Sequence, residues 1–133
     1  MIDVSPVTFS VKIIGETTSQ EYAGTFKVKP ILTQSEQIQR DGIMRDLLGG
    51  RASEASPRAV SQALLLAEVQ IRSVDVPAFW KESKMGLGLF DENVLGTVYD
   101  KIQTVELEWR ADMKKKADEA RKVLADMPVT NAQ

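Results

Sequence analysis

Hydrophobic and polar residues alternate along the opening segment of the chain, which is the period of a β-strand. The apolar positions are Val7, Phe9, Val11 and Ile13 in a first run, and Tyr22, Phe26 and Val28 in a second. A polar stretch, residues 15–21, separates the two runs. The pattern therefore predicts a β-hairpin over residues 7–31 with one apolar and one polar face. Gly24, within the second run, indicates a bulge or a close approach of another segment.

The apolar spacing changes after the hairpin to the period of an α-helix, and it predicts helices over residues 33–49, 57–75 and 91–127. Thr33 and Glu36 have the spacing of a capping box, Ser56-Pro57 is typical of a helix start, and Asp91 is a plausible N-cap. The apolar stripes are Ile38, Met44, Leu47 and Leu48 on the first helix and Val60, Ala63, Leu64, Ala67, Ile71 and Val74 on the second. On the third helix the stripe is Leu95, Val98, Ile102, Val105, Trp109, Met113, Ala117, Ala120 and Leu124.

These elements predict an α+β fold in one domain, residues 1–133, with an N-terminal hairpin followed by three main helices. An unbroken last helix would be about 55 Å long at 1.5 Å per residue. A domain of this size has a radius of gyration of about 14 Å. We therefore expect this helix to break near Arg110, to dock its end on another chain, or to project as a charged arm. A lone hairpin also leaves two strand edges unpaired, which favours a protein that completes its packing with a partner.

Composition narrows the set of partners. A net charge of −2 predicts no general attraction to nucleic acid or to an anionic membrane. No apolar run approaches the ~20 residues that span a bilayer. The first residues, Met1-Ile2-Asp3-Val4, lack the basic and apolar regions of a signal peptide, and the chain has no cysteine. We therefore expect synthesis in the cytoplasm.

The absence of both histidine and cysteine removes most catalytic and metal chemistry. Ser-His-Asp and Cys-His nucleophile systems and the usual zinc sites need these residues. Carboxylate or lysine chemistry is what remains, but Glu106 and Glu108 lie two residues apart and are expected to be solvated. Gly86-Leu87-Gly88 lacks the remainder of a phosphate-binding motif, so it is interpreted as a helix-entry loop. We predict a protein that is not an enzyme, with no catalytic, cofactor or metal site.

The aromatic residues and the lysines of the hairpin are the candidates for contact with a partner. Phe79, Trp80, Phe90 and Trp109 are expected in the core, although tryptophan is also enriched where proteins bind each other. The lysines guard a strand edge or meet an acidic neighbour. The predicted interface residues are Val11, Lys12, Phe26, Lys27, Lys29, Trp80 and Trp109.

The order of these segments resembles that of small structural or assembly proteins of tailed bacteriophages. The segments concerned are VTFSVKIIG (7–15), YAGTFKV (22–28), RDLLGG (45–50), VPAFWKES (76–83) and ELEWR (106–110). The resemblance implies no catalytic residue. It implies partners among phage capsid or tail subunits, or further copies of the chain itself.

The expected function is therefore that of a phage virion protein that stabilises capsid or tail subunits, through the hairpin edge and the long helix. Capsid cement proteins and head–tail components both fit this description. A soluble tail assembly chaperone, absent from the finished particle, is the alternative, and a small carboxylate- or lysine-based enzyme is a more distant one. We expect synthesis in the host cytoplasm, followed by incorporation into the virion if the first interpretation holds.

Overall fold

A computed structural model describes residues 4–127, and its fold is α+β, as predicted. The hairpin consists of β1 (Val7–Ile14) and β2 (Glu21–Val28), paired antiparallel over eight residues each without a shift in register. Alternation places one set of side chains inside, where Phe9 stacks on Phe26 with ring centroids 5.2 Å apart. On the solvent face the hydroxyls of Ser10 and Thr25 lie 2.9 Å apart.

A third strand corrects the predicted two-stranded hairpin. β3 (Ser73–Asp75) pairs antiparallel with β2, so the sheet order is β1-β2-β3. This strand occupies the end of the segment predicted as helix over residues 57–75. The observed helix α2 (Pro57–Arg72) stops where the carbonyl of Arg72 accepts the N–H of Lys29 at 2.8 Å. Val74, predicted on the buried helical stripe, is consequently 50% exposed.

Helix α1 (Gln34–Leu47) begins with the predicted capping box of Thr33 and Glu36. Its packing differs from the prediction, because none of its residues is buried and Ile38 is 69% exposed. The reason is that α2 is the one element of residues 4–127 on which α1 packs extensively, so much of the α1 surface stays in contact with solvent. A short 3₁₀ turn (Ala52–Glu54) leads from α1 to α2, which starts at the predicted Ser56 cap.

Helix α4 (Glu92–Asp126) runs unbroken for 35 residues. It packs on β1 and on α2, while the short helix α3 (Ala78–Glu82) packs on β2. Between these elements lies one cluster of buried apolar side chains: Val11, Phe26, Val28, Val69, Val76, Trp80, Leu95, Val98, Ile102 and Val105. Phe90 was expected in this core but is 78% exposed, since it lies in the loop that precedes α4.

Two glycines allow close contacts at this core. A Cβ at Gly24 would lie 2.2 Å from Cβ of Pro77, so the close approach expected at Gly24 brings α3 onto β2. Gly86 has a φ of +91°, and a Cβ there would lie 2.6 Å from the Trp80 ring. The Gly86-Leu87-Gly88 segment is therefore a loop that closes over Trp80, and its glycines are explained by packing.

Candidate protein-binding surfaces

The outer edge of β1 has no neighbouring strand in the described sheet. The hydrogen bond from Gly15 N–H to the Gln20 carbonyl, at 2.8 Å, closes the hairpin and sets the alternation of the ladder. Odd-numbered residues of β1 accordingly bond to β2, and even-numbered ones point their backbone groups outward. The Ile14 carbonyl, which faces outward in this scheme, accepts a hydrogen bond from Asn93 Nδ2 at 2.9 Å. The outward groups that remain at this edge are the N–H of Ile14 and both backbone groups of Thr8, Ser10 and Lys12.

The two edges of the sheet differ in how well they are protected. β3 is only three residues long, and its pairing with β2 is irregular, which blunts that edge. β1 is eight residues long, regular and free of proline. Lys12 is its only charged residue, and the Nζ of Lys12 lies 3.5 Å from a carboxylate oxygen of Glu21 on the neighbouring strand. On the inner face, Phe9 and Ile13 are only partly buried along this edge. An added strand would therefore find free backbone groups and partly covered apolar side chains together.

Asp91 ties the hairpin turn to the start of α4. Its carboxylate accepts the Thr18 hydroxyl at 2.6 Å, the Tyr22 hydroxyl at 3.0 Å, and the amides of Thr17 and Thr18 at 2.7 and 3.0 Å. The hydrogen bond from the Thr18 hydroxyl, with those from the two amides and Tyr22, outweighs burial and lowers the pKa of Asp91. Asp91 occupies the N-cap position as expected, but its side chain makes no capping bond, because the turn uses both oxygens.

Buried charges join α1, α2 and α4 on the other side of the molecule. Arg72 is buried and donates to Glu68 at 2.6 Å, to Glu106 at 2.5 Å and to the Pro30 carbonyl at 3.2 Å. Arg40 donates to the second oxygen of Glu68 at 2.6 Å. Glu106 also accepts Arg110 at 3.1 Å, so the expectation that this carboxylate is simply solvated was wrong.

This network lines a polar cleft of about 300 Å³ between the helices. Burial alone would raise the pKa of Glu106, but hydrogen bonds and charge from Arg72 and Arg110 lower it instead. All four carboxylate oxygens of Glu68 and Glu106 accept hydrogen bonds from guanidinium groups. Because no oxygen is left to accept a proton from a substrate, this arrangement favours a structural role, which is to hold α2 against α4. Sequence analysis missed Glu68 and Arg72, whose i,i+4 spacing within an apolar helix was the available signal.

An apolar groove of about 360 Å³ opens where α4 leaves the sheet. Half-buried Trp109 and exposed Val74 form part of its wall, and Lys29 and Glu36 form an ion pair at its rim. The remaining lining residues are Val4, Pro6, Ile31, Leu32 and Thr33. Trp109 is thus the predicted interface tryptophan that the fold leaves accessible.

The other predicted interface residues divide into two groups. Val11, Phe26 and Trp80 lie inside the core of this chain, and the buried Trp80 indole N–H has no acceptor among residues 4–127. Lys12 and Lys27 are exposed and Lys29 is half-buried. Of the predicted interface residues, a partner could therefore contact the lysines and Trp109 directly. The three core side chains would contribute indirectly, because they stabilise the sheet.

Comparison with protein-family models, with curated proteins and with solved structures gave no match for this chain. No helix in residues 4–127 is long and apolar enough to cross a membrane. Within the same residues, Asp and Glu side chains form no group of three or more that could hold a metal ion.

Proposed function

We propose that this chain is a non-catalytic binding protein that adds the β1 edge to the sheet of a partner. The observation that carries the proposal is the regular, unprotected edge of β1. Thr8, Ser10 and Lys12 each offer one backbone donor and one acceptor to an incoming strand. The partly covered Phe9 and Ile13 offer apolar contacts that select the side chains of that strand.

The resemblance to small structural or assembly proteins of tailed bacteriophages leads us to propose a capsid or tail subunit as this partner. Under this proposal the protein is a structural component of the virion, held through the β1 edge and further contacts of α4. A tail assembly chaperone would use the same edge transiently. The paired carboxylates of the polar cleft favour either of these functions over a carboxylate-based enzyme.

The edge can be tested by replacing Ser10 with proline, which removes an outward N–H without breaking a bond between β1 and β2. The matched control is Thr25→Ala, because both changes remove the contact between the Ser10 and Thr25 hydroxyls and only Ser10→Pro blocks the edge. Both variants should keep the circular dichroism spectrum of the parent protein. We expect Ser10→Pro to be lost from phage particles, and Thr25→Ala to be incorporated normally.

Mass spectrometry of purified particles measures incorporation. If the parent protein is abundant in assembly intermediates and absent from finished particles, the chaperone replaces the virion protein as the function. Equal incorporation of Ser10→Pro and the parent protein would refute binding through the β1 edge. Hydrogen exchange gives a second readout, since the amides of Thr8, Ser10 and Lys12 should become protected only when the partner is bound.

A further inference from the structure

The second half of α4 carries an apolar stripe that nothing in the described structure covers. Val105 is the last buried residue of the helix, and residues 106–126 extend for about 30 Å at 1.5 Å per residue. Met113, Ala117, Ala120 and Leu124 recur there at alternating spacings of four and three residues, which is the heptad pattern of a helix that packs along another helix. Leu124 is 72% exposed. We call these four residues the distal seam.

The distal seam continues the buried side of α4. Trp109 lies on the same side of the helix, one turn before Met113, and it lines the apolar groove described above. A helix laid along the seam would therefore reach this groove at its inner end, where a large apolar side chain can fill it. The small side chains of Ala117 and Ala120 allow the two helices to approach closely.

The charges beside the seam identify the kind of helix that fits. Three of the four flanking e and g positions are basic, namely Lys114, Lys116 and Arg121, and the fourth is Val123; all four residues are exposed. Lys116 and Arg121 have neighbours on their own helix, Asp112 at 3.3 Å and Asp118 at 3.0 Å. Pairs this exposed are weak, so they leave the flanks basic.

A second copy of this chain does not fit the distal seam. In a parallel pair, Lys116 of one copy would face Arg121 of the other. In an antiparallel pair, Lys114 of one copy would face Arg121 of the other. Both orientations place like charges across the contact, which is unfavourable.

We propose that the distal seam binds an amphipathic helix of a different protein that carries acidic residues at its own flanking positions. This surface is separate from the β1 edge, so it adds a second contact to the proposed binding function and can be tested without the first. Asp112, Asp118, Glu119 and Asp126 are interspersed along the same segment, which favours this occupant over a lipid surface or a nucleic acid.

Two synthetic helical peptides of about 21 residues, three heptads, provide the test. Both have leucine at the a and d positions and lack tryptophan; one has glutamate and the other lysine at e and g. Binding to the full-length protein can be followed by tryptophan fluorescence, since Trp80 is buried and Trp109 is accessible at the end of the seam. We expect the glutamate peptide to bind about tenfold or more tightly than the lysine peptide, and salt to weaken this preference.

Charge reversal on the chain supplies the matched control. K114E/R121E should reverse the preference between the two peptides. K115E/K122E makes the same change of charge on the opposite face of the helix and should leave the preference intact. Ser10→Pro should bind the glutamate peptide as the parent does, so failure at the β1 edge and failure at the seam are distinguishable.

Equal affinity for the two peptides, or an unchanged preference in K114E/R121E, would overturn the proposal. Sedimentation showing dimers that dissociate in a Leu124→Glu variant would assign the seam to a second copy instead. Binding to phosphatidylglycerol vesicles or to duplex DNA without binding to the glutamate peptide would assign it to a lipid surface or to nucleic acid.

Discussion

Replacement of Arg72 by methionine should cause a large loss of stability, because it keeps the unbranched apolar stem of the side chain and removes the guanidinium. Arg72 is 3% exposed, and its guanidinium donates to Glu68, Glu106 and the Pro30 carbonyl. The thioether of methionine supplies none of these donors. Glu68 would then stay buried with Arg40 as its remaining partner, and the Pro30 carbonyl would lose its contact with the guanidinium.

The expected magnitude follows from the burial of this group. Removal of one member of a buried ion pair costs about 3–5 kcal/mol. Because Glu68 retains Arg40 and Glu106 retains Arg110, we expect the lower end, about 3 kcal/mol. For a chain of this length, 1 kcal/mol lowers Tm by roughly 3–5 °C, so Tm should fall by about 10–15 °C.

Thermal unfolding followed by circular dichroism measures this change, with Arg110→Met as the control. The Arg110 side chain is 56% exposed and pairs with the same Glu106, so its loss should cost under about 1 kcal/mol. If the two variants unfold at the same temperature, burial of the Arg72 network contributes nothing and the reasoning is refuted. A variant of Arg72 that lost its helices at room temperature would instead be compared by urea titration at lower temperature.

Three further predictions test the packing and the turn. Gly24→Ala should lower the free energy of unfolding in urea by about 1–3 kcal/mol, because the added methyl group would overlap Pro77. Gly42→Ala, on a helix with open space around it, should raise this free energy by about 0.5–1 kcal/mol. Equal effects would contradict the close contact at the sheet. Because folding lowers the pKa of Asp91, the ionised carboxylate contributes fully to stability above the ordinary aspartate pKa, about pH 4, and this contribution is lost as the pH falls through the lowered pKa. Asp91→Asn should therefore flatten this part of a curve of stability against pH. An unchanged curve would contradict the hydrogen bonds to the carboxylate. Ile102→Ala should lower the free energy of unfolding by about 2–5 kcal/mol, because Ile102 is fully buried. Leu124→Ala should lower it by under about 0.5 kcal/mol, because Leu124 is exposed. A large effect of Leu124→Ala in the free protein would mean that the distal seam is already covered.

The elements with strong local signals were predictable from the sequence. Period-2 alternation located β1 and β2, and the Thr33 and Ser56 caps located the starts of α1 and α2. β3 was missed because Val74 continues the apolar spacing of the preceding helix. Its strand conformation depends on the open edge of β2, which local sequence does not reveal.

The candidate surfaces were less predictable, because they depend on residues far apart in the chain. Asp91 has the local signature of a helix cap, yet three donors from the hairpin turn and one from Tyr22 in β2 occupy both of its oxygens. Arg72 meets Glu106 from another helix, and no spacing within one helix indicates that contact. Trp80 and Trp109 have similar local patterns, and only the packed fold separates the core residue from the accessible one.

The first half of the long helix α4 is fixed by the rest of the fold, whereas its second half extends away from the described core. Its first half is held by the core, by Asp91 at the turn and by Arg72 at the exit from the globule. Over the roughly 30 Å of the distal half, a tilt of about 10° at the base would move the tip by about 5 Å. The rigidity of the first half therefore determines how precisely the end of the helix is positioned. Substitutions at Asp91 or Arg72 would widen the range of positions that this end samples, although no residue at the end itself would change.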